Sequence, residues 1–304
     1  GFSNAKSNIY KSAPKVVNPE QLVFRQYPIF SFSINSNCSF IIPNTGYNQG
    51  TSINIGPISN LLKDKDLYAT FPGPLSKSKS KKKDVEKWLE LSSGYLRSLG
   101  KNDELVLNDI LLHLIKHDGD VKNREFLRSA CLILNPNVNF DVNNLPTSGL
   151  AIGATNAHKL DNSGINTVFT LIQSGNLEKA LEYCVSRGDW ALALIISGPE
   201  NFNKIAAEYA RNTFPFAKTN NKVLHIMPII LKVLGGNVSS VIEDLTAVPN
   251  EGEYANLHWR EIISTIAICG SLKATEFLIE FGKFLNQQGN FIGSEIAYIM
   301  AGFP

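Results

Sequence analysis

The sequence predicts a mainly α protein, an α-solenoid preceded by a small three-stranded β segment. Three observations lead there. Residues 20–72 alternate apolar and polar side chains with the period-two rhythm of strands. From about residue 84 the period becomes that of helices. Beyond residue 163 the helical runs end in Gly, and the next run starts at once on a capping residue.

In QLVFRQYPIFSFSINSNCSFIIP, residues Leu22, Phe24, Pro28, Phe30, Phe32 and Ile34 fall on one face of an extended chain. Phe40 and Ile42 continue it after the polar turn Asn35-Ser36-Asn37, and TSINIGP adds a third run with Ile53 and Ile55. Two or three strands bury too little to be stable alone. Their edges would also leave backbone groups unpaired. Nothing later in the chain offers partner strands. The segment must therefore pack on its own helices or complete the sheet of another protein. Residues 1–19 read as a flexible lead-in to it.

Residues 73–83 read as a Pro/Lys-rich linker. Pro72, Gly73 and Pro74 break structure. Lys77, Lys79, Lys81, Lys82 and Lys83 form a dense positive run that suits solvent, an acidic partner, RNA or an anionic membrane surface. Aromatic residues are not interleaved, which weakens single-strand nucleic-acid binding. Residues 84–304 are the predicted α-solenoid, with Asp84 available as the first cap. KKKDVEKWLELSSGYLRSL carries Val85, Trp88, Leu89 and Leu96 at helical spacing, and ELVLNDILLHLIKHDG and NREFLRSACLIL follow. Residues 135–163 lack periodicity and read as a long loop. The later helices are separated by Gly175-Asn176, Gly188-Asp189, Gly236-Asn237, Gly270-Ser271 and Gly289-Asn290, with Pro199 opening a helix after Gly198. Links this tight force neighbouring helices to fold back on one another. No strict repeat is present, and a compact helical bundle is the alternative.

Composition narrows the function. Of 304 residues, 43% are hydrophobic and 18% charged, which describes a folded chain. The net charge of +2 gives no overall field for nucleic acid. Cys38, Cys131, Cys184 and Cys269 are far apart and read as reduced, buried, intracellular thiols. Apolar runs such as ALALII are too short to span a bilayer. With no initiator Met and no signal peptide, the chain is expected to be a piece of a longer protein. There is no phosphate-binding loop and no nucleophile elbow. His113 and His117 lie four apart on one helix, as a zinc site needs, but Leu114 stands where a metalloprotease carries its Glu, and Asp118-Gly119-Asp120 reads as a helix end. No cofactor is expected, and enzymatic activity is the weaker class.

Longer stretches carry a family resemblance. YPIFSFSINSNCSFIIP, INIGPISNLL and YATFPGPLSKSKSKKKDVEKWLE resemble the start of the central conserved domain of the large COPII scaffold that organises endoplasmic-reticulum exit sites. ALEYCVSRGDWALALIISG, HWREIISTI and GNFIGSEIAYIMAG are similar to its later helices, so the resemblance covers about residues 20–304. The outer-cage COPII subunit shares the Gly-Asp-Trp-Ala-Leu-Ala stretch. The resemblance implies that the strands insert as a blade into an open six-bladed WD-repeat propeller shared by the COPII cage and the nuclear pore. It also implies that the helices form an ancestral coatomer element, a fold-back unit able to dimerise into a 2:2 complex. On that reading Phe24, Phe30, Phe32, Ile34, Phe40, Ile42, Ile53 and Ile55 form the buried face of the donated blade. Asp189, Trp190, Leu192 and Leu194 belong to the solenoid crown or to a dimer contact. The implied protein is a non-enzymatic scaffold without nucleic acid or a transmembrane segment, peripheral to the cytoplasmic face of the endoplasmic reticulum at exit sites. An outer-cage COPII or nuclear-pore helical scaffold is the alternative within the class, and a metal-dependent enzyme using His113 and His117 the alternative outside it. One departure is local: relatives carry glycines in the first hairpin turn where this chain has Ile34-Asn35-Ser36-Asn37.

Overall fold

Alternating Phe, Ile and Ser residues build an antiparallel meander of β1 (Ile29–Phe32), β2 (Asn37–Ile42) and β3 (Ser52–Pro57). The structure, a computed structural model, describes residues 29–32, 37–42, 52–60, 64–73, 79–141, 143, 159–214 and 221–302. The chain divides into two compact units at Phe71 and Pro72. In the first unit, β2 is central, paired on both sides: Phe30 lies opposite Phe40, Phe32 opposite Cys38, Ile41 opposite Ile53 and Ser39 opposite Ile55. A 3₁₀ turn at Ile58–Asn60 and a short helix, α1 (Lys65–Ala69), follow the sheet.

The second unit is helical throughout its described part. It holds α2 (Lys79–Ser98), α3 (Asn102–Lys116), α4 (Arg124–Leu134), α5 (Asn162–Gln173), α6 (Leu177–Ser186) and α7 (Trp190–Thr213). It continues with α8 (Lys222–Leu234), α9 (Val238–Ala247), α10 (Pro249–Leu257), α11 (Trp259–Ile268), α12 (Ala274–Gln287) and α13 (Phe291–Ala301).

The first long helix begins at Lys79, not at Asp84. Lysine is a good helix former, so most of the positive run is taken into the first turns instead of forming a linker. Lys82 pairs with Asp118 at 2.6 Å and reaches Glu86 one turn on, so Asp84 sits inside the helix and is not its cap.

The Gly punctuation works as its chemistry requires. Gly175, Gly188, Gly236, Gly270 and Gly289 all have φ between 71° and 82°, the left-handed region in which a Cβ would be strained. The residue after each glycine then takes up an open N–H in most cases. Asp189 accepts from Leu192, Asn237 from Ser240, Asn290 from Gly293, and the Ser271 hydroxyl from Lys273. Asn176 differs: its amide donates to the Ser174 hydroxyl at 2.9 Å and makes no cap to the helix it precedes. Inside α7, Gly198 (φ 62°) breaks the helix, and Pro199 opens the second half without needing an N–H.

The helices do not run on as a straight stack. α2 packs on α3, and α3 on α4; α5, α6 and α7 then pack in sequence away from them. From α8 the chain returns, with α11 packing on α4 and α13 on α3. One core therefore joins Ile110 and Phe126 of the outward run to Ile262, Phe277, Phe281 and Ile296 of the returning one. The Cys131 thiol donates to the Ser264 carbonyl across this seam, and Arg260 pairs with Asp103. A separate cluster around Val168, Ala180, Cys184, Ala193 and Ile205 holds α5–α7 together as a crown. This is an α-solenoid that folds back on itself. The reversal buries Ile296, Ala297 and Met300 of α13 in the core shared with the outward run.

Candidate functional site

The sheet is the first candidate, and its register corrects the sequence reading. Residues directly opposite in an antiparallel pair share a face. Phe32, Cys38 and Phe40 are on one side, with the register positions of Phe30 and Ile42, while β3 puts Asn54 and Gly56 there. Ile53 and Ile55 therefore lie on the opposite side, with Ser39, and do not join the Phe face. Counting by twos inside each strand cannot carry parity across a turn, and one residue more or less inverts a whole strand. Phe24 and Ile34 lie outside the described residues. The two-faced arrangement is unusual for a small sheet. Phe32 is 72% exposed on one side, and Ile53 and Ile55 are 64% and 77% exposed on the other. Cys38 is buried, its thiol donating to the Gly56 carbonyl at 3.6 Å.

The Gly-Asp-Trp element organises the crown. Asp189 is buried, and its carboxylate accepts from the backbone N–H groups of Lys159 (2.8 Å) and Leu192 (3.2 Å). Lys159 stands just before α5, so one side chain caps α7 and fastens the entry to the crown. Trp190 packs edge-on against Tyr209 at 5.7 Å, and Leu192 and Leu194 pack on the crown core.

His113 and His117 lie on and just after α3. Burial is the main cause that lowers the His113 pKa, and His117 meets the Phe126 ring edge-on. Among the described residues no group of three or more His, Cys, Asp or Glu is disposed to hold a metal. The thiols differ in setting: Cys38, Cys131 and Cys184 are buried, whereas Cys269 is exposed at the end of α11, against the expectation that all four are buried. Gly270 marks the helix end beside it, but periodicity alone does not show that a residue in that last turn lies outside the core. No helix of the described residues is long and apolar enough to cross a membrane.

A cavity of about 390 Å³ between α8, α9 and α10 holds Asp244 and Glu251, carboxylates that read from the sequence as solvent-facing charge. Lys232, 4% exposed, pairs with Asp244, which also takes a bidentate Arg211 at 3.1 and 3.3 Å. Glu251 lines the same cavity, and burial and then the Asp244 charge push its pKa up. Tyr254 lies between His225 and His258, ring centroids 4.4 and 4.3 Å away, and burial lowers the His258 pKa. In the sequence Lys232 looks like any lysine on an amphipathic helix; only the partner twelve residues later marks it.

Comparison with known proteins settles the family. The profile described as "Vesicle coat trafficking protein Sec16 mid-region" matches residues 27–119, and that of the "Sec16 Sec23-binding domain" matches residues 168–304. The chain belongs to the Sec16 family. COPII coat assembly protein SEC16 of Scheffersomyces stipitis is 49% identical across the whole chain, and that of Debaryomyces hansenii 47%. The chain spans 14% and 15% of the length of these two Sec16 relatives. A solved structure described as the Sec13/Sec16 complex of S. cerevisiae covers 92% of this chain and 72% of its own, with a TM-score of 0.57 at 24% identity. At that identity the likeness speaks for the fold: a small sheet ahead of a fold-back helical unit.

Proposed function

We propose that this Sec16-family chain is a non-enzymatic scaffold of COPII coat assembly at endoplasmic-reticulum exit sites, on the cytoplasmic face. It donates β1–β3 as an additional blade to an open six-bladed WD-repeat propeller, the counterpart of the Sec13 subunit named in the related yeast complex. Through its helical unit it self-associates, so that the assembly is a 2:2 complex.

One observation carries the proposal: a three-stranded sheet with large apolar side chains exposed on both faces, Phe32 on one and Ile53 and Ile55 on the other. A sheet that packs on a single helix layer has one face to bury. A blade lodged between the first and last blades of an open ring has two. Full burial of an exposed Ile or Phe is worth about 1.5–3 kcal/mol each, so these three side chains contribute roughly 4.5–9 kcal/mol against the entropic cost of association.

The test is co-expression with the propeller subunit followed by gel filtration and sedimentation velocity. The two proteins are expected to elute together at the mass of a 2:2 complex. Phe32→Asp with Ile55→Asp should abolish co-elution while helical circular dichroism is retained. Elution as two separate species for the unmodified chain would sink the proposal. Loss of helical signal in the double variant would point instead to internal packing of the sheet. Co-elution at 1:1 would remove the self-association.

A further inference from the structure

α6 and the second half of α7 present matching rows of side chains to a shared groove of about 920 Å³. On α6 the row is 177, 178, 181, 182 and 185, and on α7 it is 200, 201, 204, 205 and 208. Each row repeats at i, i+1, i+4, i+5 and i+8, so each is one continuous helix face. The apolar lining is Leu177, Leu181 and Val185 from α6, and Ile205 from α7. Leu177 remains 53% exposed at the mouth, whereas Ile205 is buried at the floor.

The rim is acidic. Glu178, Glu182, Glu200 and Glu208 line it, against Lys204 as its single cation. Elsewhere on the helical unit carboxylates such as Asp118 and Asp244 are met by lysine or arginine, the first by Lys82 and the second by Lys232 and Arg211. Among the described residues none of these four glutamates takes part in an ion pair.

We propose that this groove docks a basic amphipathic helix of a partner protein, with apolar anchors at helical spacing laid between α6 and α7 and flanking lysine or arginine meeting the four glutamates. Dimensions agree with such an occupant. A row spanning eight residues of helix is about 12 Å long, enough for two turns of a docked helix, and a helix in a groove is held by anchors one turn apart. Charge complementarity selects the basic helix over an acidic or neutral one. The proposal concerns the crown and does not depend on the sheet.

A fluorescein-labelled peptide of about four turns, Leu and Lys at amphipathic spacing, serves as the probe in fluorescence anisotropy with the full chain. Saturable binding is expected, weakened about tenfold or more by Glu178→Lys with Glu182→Lys and separately by Leu177→Gln. All three positions are exposed, so unchanged thermal melts should accompany both variants. Absence of binding overturns the proposal, as does binding that both variants leave intact. Equal binding of the same composition in scrambled order, or of a Leu/Glu peptide, also overturns it, because neither presents apolar anchors beside positive charge. If the charge-reversed variant instead changes the oligomeric mass in sedimentation velocity and leaves peptide binding alone, a second copy occupies the groove and the proposal fails.

Discussion

Replacing Asp244 by alanine should strand a buried cation. Lys232 is 4% exposed on α8, and Asp244 of α9 is its ion-pair partner in the cavity. Removing one partner of a buried pair costs about 3–5 kcal/mol, because the remaining charge keeps its desolvation penalty and loses its compensation. Asp244 is 22% exposed, so water softens the loss and about 3 kcal/mol is the better figure. That is roughly two powers of ten in the folding constant. At a urea dependence of about 3 kcal/mol per molar, the midpoint of unfolding followed by far-ultraviolet circular dichroism falls by about 1 M. Lys232→Met keeps the unbranched stem and leaves Asp244 with Arg211, so it should cost within about 1 kcal/mol. The combined variant should then be more stable than Asp244→Ala alone. If Asp244→Ala and the combined variant lose the same stability, the loss does not come from a stranded lysine and the reasoning is refuted.

Glu251→Gln should stabilise the protein at neutral pH. Burial and Asp244 hold the folded pKa above the ordinary value of 4.5, so the folded state binds the proton more tightly and loses stability as pH rises from 4.5 through the raised folded value. The thermal midpoint of the variant should exceed that of the parent at pH 7 and meet it below pH 4.5; equal midpoints at both would contradict the assignment. Gly282→Ala should destabilise, since its Cβ would lie 2.9 Å from the Tyr298 ring between α12 and α13. Overpacking costs about 1–3 kcal/mol against a helix-propensity gain of about 1 kcal/mol, and a rise in melting temperature would show that Tyr298 yields freely. Iodoacetamide followed by mass spectrometry should modify exposed Cys269 first. Cys131, 1% exposed and pushed by burial to a pKa of about 11, should react only on unfolding; simultaneous labelling of the two would argue that the seam between α4 and α11 opens.

Much of the candidate site was legible before any coordinates. The alternation of Phe and Ile marked the strands, and the absence of later strands left the sheet either to pack on the chain's own helices or to complete the sheet of another protein. The Gly-Asp-Trp element announced a helix cap, and Asp189 makes that cap. What escaped was parity and pairing. Ile53 and Ile55 were assigned to the Phe face, yet the register puts them on the other. The lysines at 79 and 81–83 read as a linker because charge runs are commonly solvated, whereas here their helix propensity and the Lys82–Asp118 pair draw them into α2.

The division has a physical cause. Caps, glycine turns and side-chain periodicity satisfy backbone groups within a few residues, so the sequence by itself determined the strands and the glycine-marked helix ends, whereas the breaks at Val248 and His258 that separate α9, α10 and α11 carry no glycine and were not read from it. The return of α13 onto α3 and α11 onto α4, the burial of Lys232 against Asp244 and the acidic groove between α6 and α7 join residues with no local signature of one another. Only the tertiary structure decided these, because each is chosen by how much apolar surface the whole chain buries and by which charges that burial brings together.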